Sequence, residues 1–232
     1  MNILIIGTTG MVGKDLIRLF KEDNSDVDIT CCNSSDFVTK TRDLSKYQVI
    51  FNCANETVSK NIMEKLPKDT YYIDNSSYLR MKDYPLVVPE INMKQSQIYA
   101  NPNCVTIILC LFLNAIKKLN PKDIEVSTYQ SLSGAGKHKF FNFIDDTIYI
   151  SNNLNNDSPR ASEFKSNKLG FNFYPHKSKK DDDGFSGEEN KVIRETKKIM
   201  DLDEKLERLV ATFEKSVAIV NVRTSLNEIP TF

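Results

Sequence analysis

The chain has 232 residues, of which 40% are hydrophobic and 27% are charged, a balance typical of a globular protein with its own core. Lysine plus arginine and aspartate plus glutamate both number 31, so no net charge favours nucleic acid or an anionic membrane as a partner. The five cysteines lack metal-ligand spacing, which argues against a disulfide framework or a metal site. We find no transmembrane run or signal peptide and expect a cytoplasmic protein.

The first part of the chain predicts strands that alternate with helices. Residues 1–6 are typical of a buried strand, residues 7–13 form a glycine-rich turn, and residues 14–21 have helical spacing of apolar side chains. Further strands are predicted at 27–32, 47–54 and 70–73, with a helix at 58–66. This alternation indicates a parallel sheet covered on both faces, and therefore an α/β fold of the Rossmann type.

The glycine-rich turn predicts a nucleotide site. Gly7, Gly10 and Gly13 follow the first strand and precede a helix, where backbone amides can approach a pyrophosphate closely. The alternative is a tight turn that needs positive φ. Residues 32–35, at the end of the second strand, carry no acidic side chain that would exclude a 2′-phosphate, and they also carry no arginine to bind one. The pattern leans toward NADP and leaves NAD open.

Cys104 is the candidate nucleophile. It lies between a turn and an apolar run, residues 105–119, that predicts a helix ending near two lysines and Pro121. A thiol at a helix N-terminus is favoured as the thiolate by free backbone N–H groups and by the helix dipole. The alternative is a small apolar residue that enters the core.

The second half of the chain differs in composition and pattern, with long polar and charged stretches between its predicted elements. A strand is predicted at 124–132, followed by the turn Ser133-Gly-Ala-Gly136, a polar stretch at 151–168 and a charged loop at 176–183. A helix begins at Ser186 with capping-box spacing and runs to about Met200. We therefore predict a separate α+β unit.

Six blocks together resemble aspartate-semialdehyde dehydrogenase of the bacterial type, and they occur in that family's order. They are GTTGMVG (7–13), DNSSYLR (74–80), PLVVPEIN (85–92), NPNCVT (101–106), STYQSLSGAG (127–136) and GEENKVIRETKKI (187–199). The resemblance implies a Rossmann-like NADP-binding domain at 1–103 and an incomplete α+β catalytic and dimerisation domain at 104–232. The family's usual C-terminal helix has no counterpart before Phe232, so we expect a divergent, shortened member.

The resemblance also implies a reaction and its participants. The family reduces aspartyl β-phosphate to aspartate semialdehyde with NADPH, releasing phosphate, in the biosynthesis of lysine, threonine and methionine. A cysteine thioester is the intermediate. We accordingly expect a small-molecule substrate, the cofactor NADP, no metal, and a homodimer or larger homo-oligomer.

Site residues are carried over from the family motifs. Cys104 corresponds to the nucleophile and Gln130 to the amide that orients the substrate. The substrate-binding positions are Arg80 and Lys191 for phosphate, Glu188 for the substrate amine, and Asn103. The cofactor-binding positions are Gly7, Thr9, Gly10, Met11, Val12, Ser133 and Gly134.

The residues alone leave alternatives open at several of these positions. Glu188 and Lys191 share a helix face, which fits a site but also an ordinary surface pair. Arg80 after a Ser-Ser turn is otherwise typical of a solvated arginine. Gln130 and Tyr129 alternate along their strand, so one of the two points inward and needs hydrogen-bond partners.

The sequence departs from the family where a C-V-R-V-P strand and a nearby G-H-S supply an arginine and the acid/base histidine. One alignment places Lys215 at the arginine and Val222 at the histidine, and another deletes the arginine segment. The two histidines, His138 and His176, both precede this region. Loss of a general base typically costs about 10²- to 10⁴-fold in rate.

Two functions follow from this pattern. The first is an aspartate-semialdehyde dehydrogenase-like enzyme with impaired turnover. The second is a non-catalytic homologue that binds a nucleotide or phosphorylated metabolite, or associates with a full-length partner. His138 as a substitute base is a further alternative, set against a histidine that only satisfies its loop.

Overall fold

In the computed structural model the described residues are 1–23, 26–39, 42–119, 123–153, 170, 174–175, 182, 184–201, 208–215 and 219–225. Contacts divide the chain into two units. The first unit comprises Met1–Pro121, Val192–Leu206 and Asn227–Phe232, and the second comprises Lys122–Lys191 and Glu207–Leu226.

The first unit contains a five-stranded parallel sheet. Its strands are β1 (Asn2–Ile6), β2 (Asp28–Cys32), β3 (Val49–Asn52), β4 (Tyr71–Asp74) and β5 (Ile98–Ala100). Their order is β2-β1-β3-β4-β5, and all neighbours are parallel. Four consecutive residues of β1, Ile3 to Ile6, are buried, as expected for a central strand covered on both faces. The predicted α/β sheet of the Rossmann type is confirmed.

Five helices of the first unit connect or follow these strands. They are α1 (Met11–Glu22), α2 (Ser34–Thr39), α3 (Glu56–Met63), α4 (Pro89–Asn92) and α5 (Cys104–Ile116). Helix α3 begins where the Asn55 side chain accepts a hydrogen bond from the Val58 amide at 3.1 Å, and α4 begins with a proline in its first turn. Buried side chains of the strands and helices form one core with the sheet.

A buried carboxylate organises the end of β4. Asp74 is fully buried, and its two oxygens accept four hydrogen bonds of 2.7–2.9 Å. The donors are the Asn52 amide, the Ser59 hydroxyl, and both the backbone N–H and the hydroxyl of Ser76. Because a buried charge is tolerated only when it is well hydrogen-bonded, this network fixes the turn that begins the DNSS block.

The second unit contains a mixed four-stranded sheet and a long helix. Its strands are β6 (Asp123–Gln130), β7 (Tyr174–Pro175), β8 (Arg208–Lys215) and β9 (Ile219–Ser225), in the order β7-β8-β6-β9. Strands β6 and β8 are parallel, and the other pairs are antiparallel. Burial alternates along β6, with Ile124, Val126 and Thr128 buried. Helix α6 (Lys137–Asn153) follows the turn after β6. This mixed unit agrees with the α+β prediction.

The last described helix, α7 (Gly187–Met200), begins with the predicted capping box. The Ser186 amide donates to the Glu189 carboxylate at 2.5 Å, and the Glu189 amide donates to the Ser186 hydroxyl at 3.3 Å. The division between the two units falls within this helix, after Lys191. Residues Val192, Glu195, Thr196 and Ile199 form its buried face.

The units differ from the sequence-based division before Cys104 both in helix α5 and in the second part of α7, which belong to the first unit. Helix α5 belongs to the first unit, because its apolar face packs on the parallel sheet through side chains such as Cys110. Helix α6 was not predicted and is a further difference. Among the described residues, none of the helices is long and apolar enough to cross a membrane.

Candidate active site

The glycine-rich turn packs closely against the end of β3. Gly7 has φ +89°, and a Cβ there would lie 2.7 Å from the backbone carbonyl of Cys53. A Cβ on Gly13 would lie 2.5 Å from the Gly7 oxygen. Both positions therefore require glycine for steric reasons, and the turn brings the start of α1 close to the carboxyl ends of β1 and β3.

The N-terminus of α1 has the features of a pyrophosphate site. Its cap residue, Gly10, has no side chain to satisfy the first amides of the helix. Thr9 and Val12 beside it are exposed. The order of the strands reverses at β1, the point where open parallel sheets bind nucleotides. These residues fit a dinucleotide cofactor, since backbone can approach phosphate here without a side chain between them.

Polar groups also surround the end of β2. The Asn33 side chain accepts from the Asp36 amide and donates to the Asp36 carboxylate, both at 2.7 Å. Arg42 donates to the Tyr47 hydroxyl at 3.3 Å. That hydrogen bond raises the pKa of the Arg42 guanidinium, burial opposes the rise, and the nearby Cys32 and Asp36 add to it. Arg42 thus places a positive charge near the end of β2.

Cys104 is the first residue of α5, and it is exposed. The Asn103 side chain caps the helix by accepting from the Val105 amide at 2.9 Å, and its Oδ1 lies 3.9 Å from the Cys104 sulfur. The alternative in which Cys104 enters the core is wrong, because the buried face of α5 begins at the next residue, Val105. An exposed thiol at a helix N-terminus is accessible to an electrophile and lies where a thiolate is stabilised.

Arg80 is held beside the start of α5 by a buried carboxylate. Its Nη1 donates to Glu195 Oε1 at 3.1 Å, and the two side chains are 11% and 1% exposed. Glu195 Oε2 accepts from the Asn103 amide at 2.6 Å. Arg80 Nη2 donates to the Asn75 carbonyl at 3.1 Å. Arg80 is therefore an oriented guanidinium and not a solvated one.

Helix α7, which carries Glu195, also holds the backbone of the turn that contains Arg80. Lys198 Nζ donates to the carbonyls of Arg80, at 2.9 Å, and Lys82, at 2.5 Å. Partial burial lowers the pKa of this lysine. Two successive turns of α7 thus contact Arg80, one at its side chain and one at its main chain.

The remaining motif residues lie in the second unit. Gln130 ends β6, and its amide donates to the Thr128 hydroxyl at 3.2 Å. Ser133 and Gly134 lie in the 3-10 turn Leu132–Ala135, and a Cβ on Gly134 would meet no atom within 4 Å. Lys191 and Glu188 form an ion pair of 3.3 Å in the first turn of α7, with side chains 47% and 18% exposed.

The two histidines and the residues aligned with the family's arginine and histidine complete the set of candidate positions. His138 lies exposed in α6, with Nδ1 at 3.4 Å from the Asn142 amide nitrogen. His176 lies outside the described residues. The backbone register pairs Lys215 with Gln130 and Val222 with Val126. In the described part of the chain, no group of three His, Cys, Asp or Glu side chains could hold a metal ion.

Comparison with known proteins identifies the family. Residues 36–99 match the family model for the semialdehyde dehydrogenase NAD binding domain, and residues 113–226 match the model for the semialdehyde dehydrogenase dimerisation domain. Aspartate-semialdehyde dehydrogenase from Aquifex aeolicus is 33% identical over 225 residues, which cover 86% of this chain and 65% of that protein. The chain belongs to the aspartate-semialdehyde dehydrogenase family.

Solved structures of the family agree with this assignment. Aspartate semialdehyde dehydrogenase II from Vibrio cholerae superimposes with a TM-score of 0.81 at 26% identity, covering 98% of this chain and 75% of that one. The same enzyme complexed with ASA gives a TM-score of 0.79 at 27% identity, covering 96% and 74%. The chain spans about 65% of the length of the curated relatives it matches.

Two residues that contact the motif residues or lie near the end of β2, Glu195 and Arg42, were not predicted from the sequence. Glu195 links Arg80 to Asn103, and the signal for it is a carboxylate that interrupts the buried stripe Val192, Thr196 and Ile199 of α7. Arg42 lies beyond the window after β2 in which a phosphate-binding arginine was sought. Glu195 lies within the block GEENKVIRETKKI, whereas Arg42 lies outside all six blocks.

Proposed function

We propose that the protein catalyses the reductive dephosphorylation of aspartyl β-phosphate to aspartate semialdehyde through a thioester on Cys104. The Cys104 thiolate attacks the acyl carbon, the bond from that carbon to the phosphate oxygen breaks, and phosphate leaves with the electron pair. Hydride addition to the thioester carbon then releases the aldehyde and regenerates the thiolate. The observation that carries the proposal is an exposed cysteine at the capped N-terminus of α5.

The other cysteines support Cys104 as the nucleophile. Burial raises the pKa of the Cys53 thiol to about 11 and that of the Cys110 thiol to about 12. At pH 8 these two thiols are therefore thiolate to only about one part in 10³ to 10⁴. Cys32 is buried, whereas Cys31 is exposed but lies within the edge strand β2, not at a helix N-terminus.

The anchors of the substrate follow the family motif. In this proposal Arg80 and Lys191 bind the phosphate, Glu188 binds the substrate amine, and Gln130 and Asn103 orient the acyl group. The buried ion pair with Glu195 supports the role of Arg80, because a bound anion then meets a guanidinium group that is already oriented. Lys215, at the register position beside Gln130, takes the place of the family's arginine.

We further propose NADP as the cofactor, which supplies a hydride when bound. At the start of α1, the backbone of Thr9, Met11 and Val12 contacts its pyrophosphate, and Gly7 and Gly10 form the turn that allows this close approach. Ser133 and Gly134 meet its nicotinamide end. Arg42 binds the 2′-phosphate. Its support is the position of the guanidinium near Cys32 and Asp36 at the end of β2.

Arg42→Met is expected to lower the preference for NADP over NAD by about 10- to 150-fold, since one charge-assisted hydrogen bond to the 2′-phosphate is worth roughly 1.5–3 kcal/mol. NAD affinity should stay unchanged. Calorimetric titration with both nucleotides measures the ratio. Arg18→Met is the matched control, because Arg18 is an exposed arginine of α1 paired with Glu22. Equal losses of NADP and NAD affinity in Arg42→Met would remove Arg42 from the 2′-phosphate site.

Sustained turnover is expected to be low, because the alignment leaves the family's histidine position without a histidine. A general base of this kind contributes about 10²- to 10⁴-fold to the rate.

The match of residues 113–226 to a dimerisation domain supports a homodimer. Free cysteines at five positions support a reducing compartment, the cytoplasm.

The protein mixed with aspartate semialdehyde, phosphate and NADP should form at most one NADPH per chain, without sustained production. In parallel, limiting iodoacetamide at pH 8 should alkylate Cys104 before the other four cysteines. Peptide mass spectrometry reads the order of labelling. Repeating it in Cys31→Ser removes the other exposed thiol and leaves the Cys104 rate unchanged.

Three other outcomes would change the proposal. Steady turnover that only His138→Ala abolishes would give the protein a base and full activity. Steady turnover that survives His138→Ala would place the base elsewhere. No NADPH and no preferential labelling of Cys104 would favour the non-catalytic homologue, which binds a nucleotide or phosphorylated metabolite or joins a full-length partner.

A further inference from the structure

We propose that Glu195 is a positioning residue that fixes the Arg80 guanidinium relative to the N-terminus of the Cys104 helix and offsets its positive charge there. The inference rests on the proposed function only for the identity of the anion that Arg80 binds. All the residues that carry it lie in the first unit.

The two oxygens of Glu195 serve two different functional elements. Oε1 accepts from Arg80 Nη1 at 3.1 Å, and Oε2 accepts from the Asn103 amide at 2.6 Å. Asn103 caps α5, and Cys104 is the next residue. A single carboxylate therefore sets the spacing between the guanidinium and the backbone that presents the nucleophile.

The burial of Glu195 argues for this role over a contribution to stability. The side chain is 1% exposed, and its partner Arg80 is 11% exposed. Desolvation of such a pair often offsets its Coulomb attraction, so apolar residues at both positions would stabilise the fold at least as well. A buried ion pair that adds little to stability but fixes the place of the Arg80 guanidinium fits a positioning role for Glu195.

The neighbouring contacts leave Arg80 with little freedom. Nη2 is occupied by the Asn75 carbonyl, and Lys198 holds the Arg80 carbonyl from the next turn of α7. Arg80 Nε is the guanidinium nitrogen for which the described residues provide no acceptor. Glu195 thus accepts a hydrogen bond from one terminal nitrogen of the guanidinium, whereas the Nε–H has no acceptor among the described residues.

If the charges of Glu195 and Arg80 offset each other, removing each one alone should change the Cys104 alkylation rate in opposite directions. In Glu195→Gln the positive charge of Arg80, which Glu195 links to the Asn103 amide, is no longer offset, and this favours attack by the sulfur of the next residue, Cys104. Alkylation of Cys104 by iodoacetamide at pH 7 should then be about threefold faster or more. Arg80→Met leaves the carboxylate unopposed, and alkylation should be slower by a similar factor. The double variant carries neither charge and should return to within about twofold of the unmodified rate.

Glu189→Gln is the matched control. It removes the same charge from the same helix, but its carboxylate caps Ser186 and has no contact with Arg80 or Asn103 among the hydrogen bonds of the described residues. Its Cys104 alkylation rate should not change. A role of Glu195 in stability alone would leave the alkylation rate of folded Glu195→Gln unchanged.

The outcomes are decisive in each arm. Faster alkylation in Glu195→Gln that the second substitution cancels supports the inference, and an unchanged rate or an increase that persists in the double variant overturns it. If Glu195→Gln does not fold alone, the comparison of Arg80→Met with the double variant decides, because removal of the unopposed carboxylate should restore the rate. Inorganic phosphate separates the two proposals: if it fails to protect Cys104 in the unmodified protein while the cycle still cancels, the phosphate role of Arg80 fails and the positioning role stands.

Discussion

Cys104→Ser should abolish the single equivalent of NADPH that we expect from the unmodified chain. A serine hydroxyl is a weak nucleophile without an activating base, so formation of the acyl-enzyme should fall by at least about 10³-fold. Because the side chain is exposed at the first position of α5, the free energy of unfolding should change by less than about 0.5 kcal/mol. Stopped-flow absorbance at the NADPH band and thermal denaturation measure the two effects.

Cys31→Ser is the appropriate comparison, since it removes the second exposed thiol from a different element, β2. It should retain the full equivalent of NADPH. An NADPH signal of normal size in Cys104→Ser would show that the acyl group is transferred without this thiol, and the thioester mechanism would have to be abandoned.

Gly13→Ala should remove cofactor binding and weaken the fold together. The new Cβ would lie 2.5 Å from the Gly7 oxygen and 2.9 Å from the Thr8 Cα, which are backbone atoms that cannot rotate away. Overpacking of this kind costs about 1–3 kcal/mol, and the shift it forces moves the amides that would meet the pyrophosphate. We expect NADP affinity to fall by more than about tenfold, measured by calorimetry, with a lower thermal midpoint.

Gly187→Ala provides the contrast, because a Cβ there meets nothing within 4 Å and the residue begins helix α7. Alanine at that position should leave NADP affinity unchanged and stabilise the fold by about 0.4–1 kcal/mol. Unchanged affinity in Gly13→Ala as well would separate the glycine-rich turn from the nucleotide.

The sequence predicts the parts of this protein in which local pattern and function coincide. The glycine turn, the Cys104 helix and the capping box at Ser186 each combine a backbone requirement with a recognisable residue, and each lies where it was expected. Helix α6 was missed because its residues are rich in aromatic and β-branched side chains, which have weak helix propensity. Its conformation depends on tertiary contacts that no short window contains.

Contacts between side chains that are far apart in the sequence could not be predicted either. Arg80 and Glu195 are 115 residues apart, and only the fold brings a carboxylate of α7 to the turn after β4. The same holds for Lys198 and the Arg80 carbonyl. A sequence pattern identifies a charged residue on a helix face, but the partner that it meets is set by how distant elements pack.

The Asp74 network has a consequence for the energetics of recognition. Its four donors fix Asn52, Ser59 and Ser76, and the chain then runs directly through Asn75, whose carbonyl holds Arg80. The loop therefore loses its conformational entropy when the protein folds and has little left to lose when an anion arrives. Such preorganisation raises affinity without any added contact to the ligand, so substitutions at Asp74 should weaken anion binding from a distance.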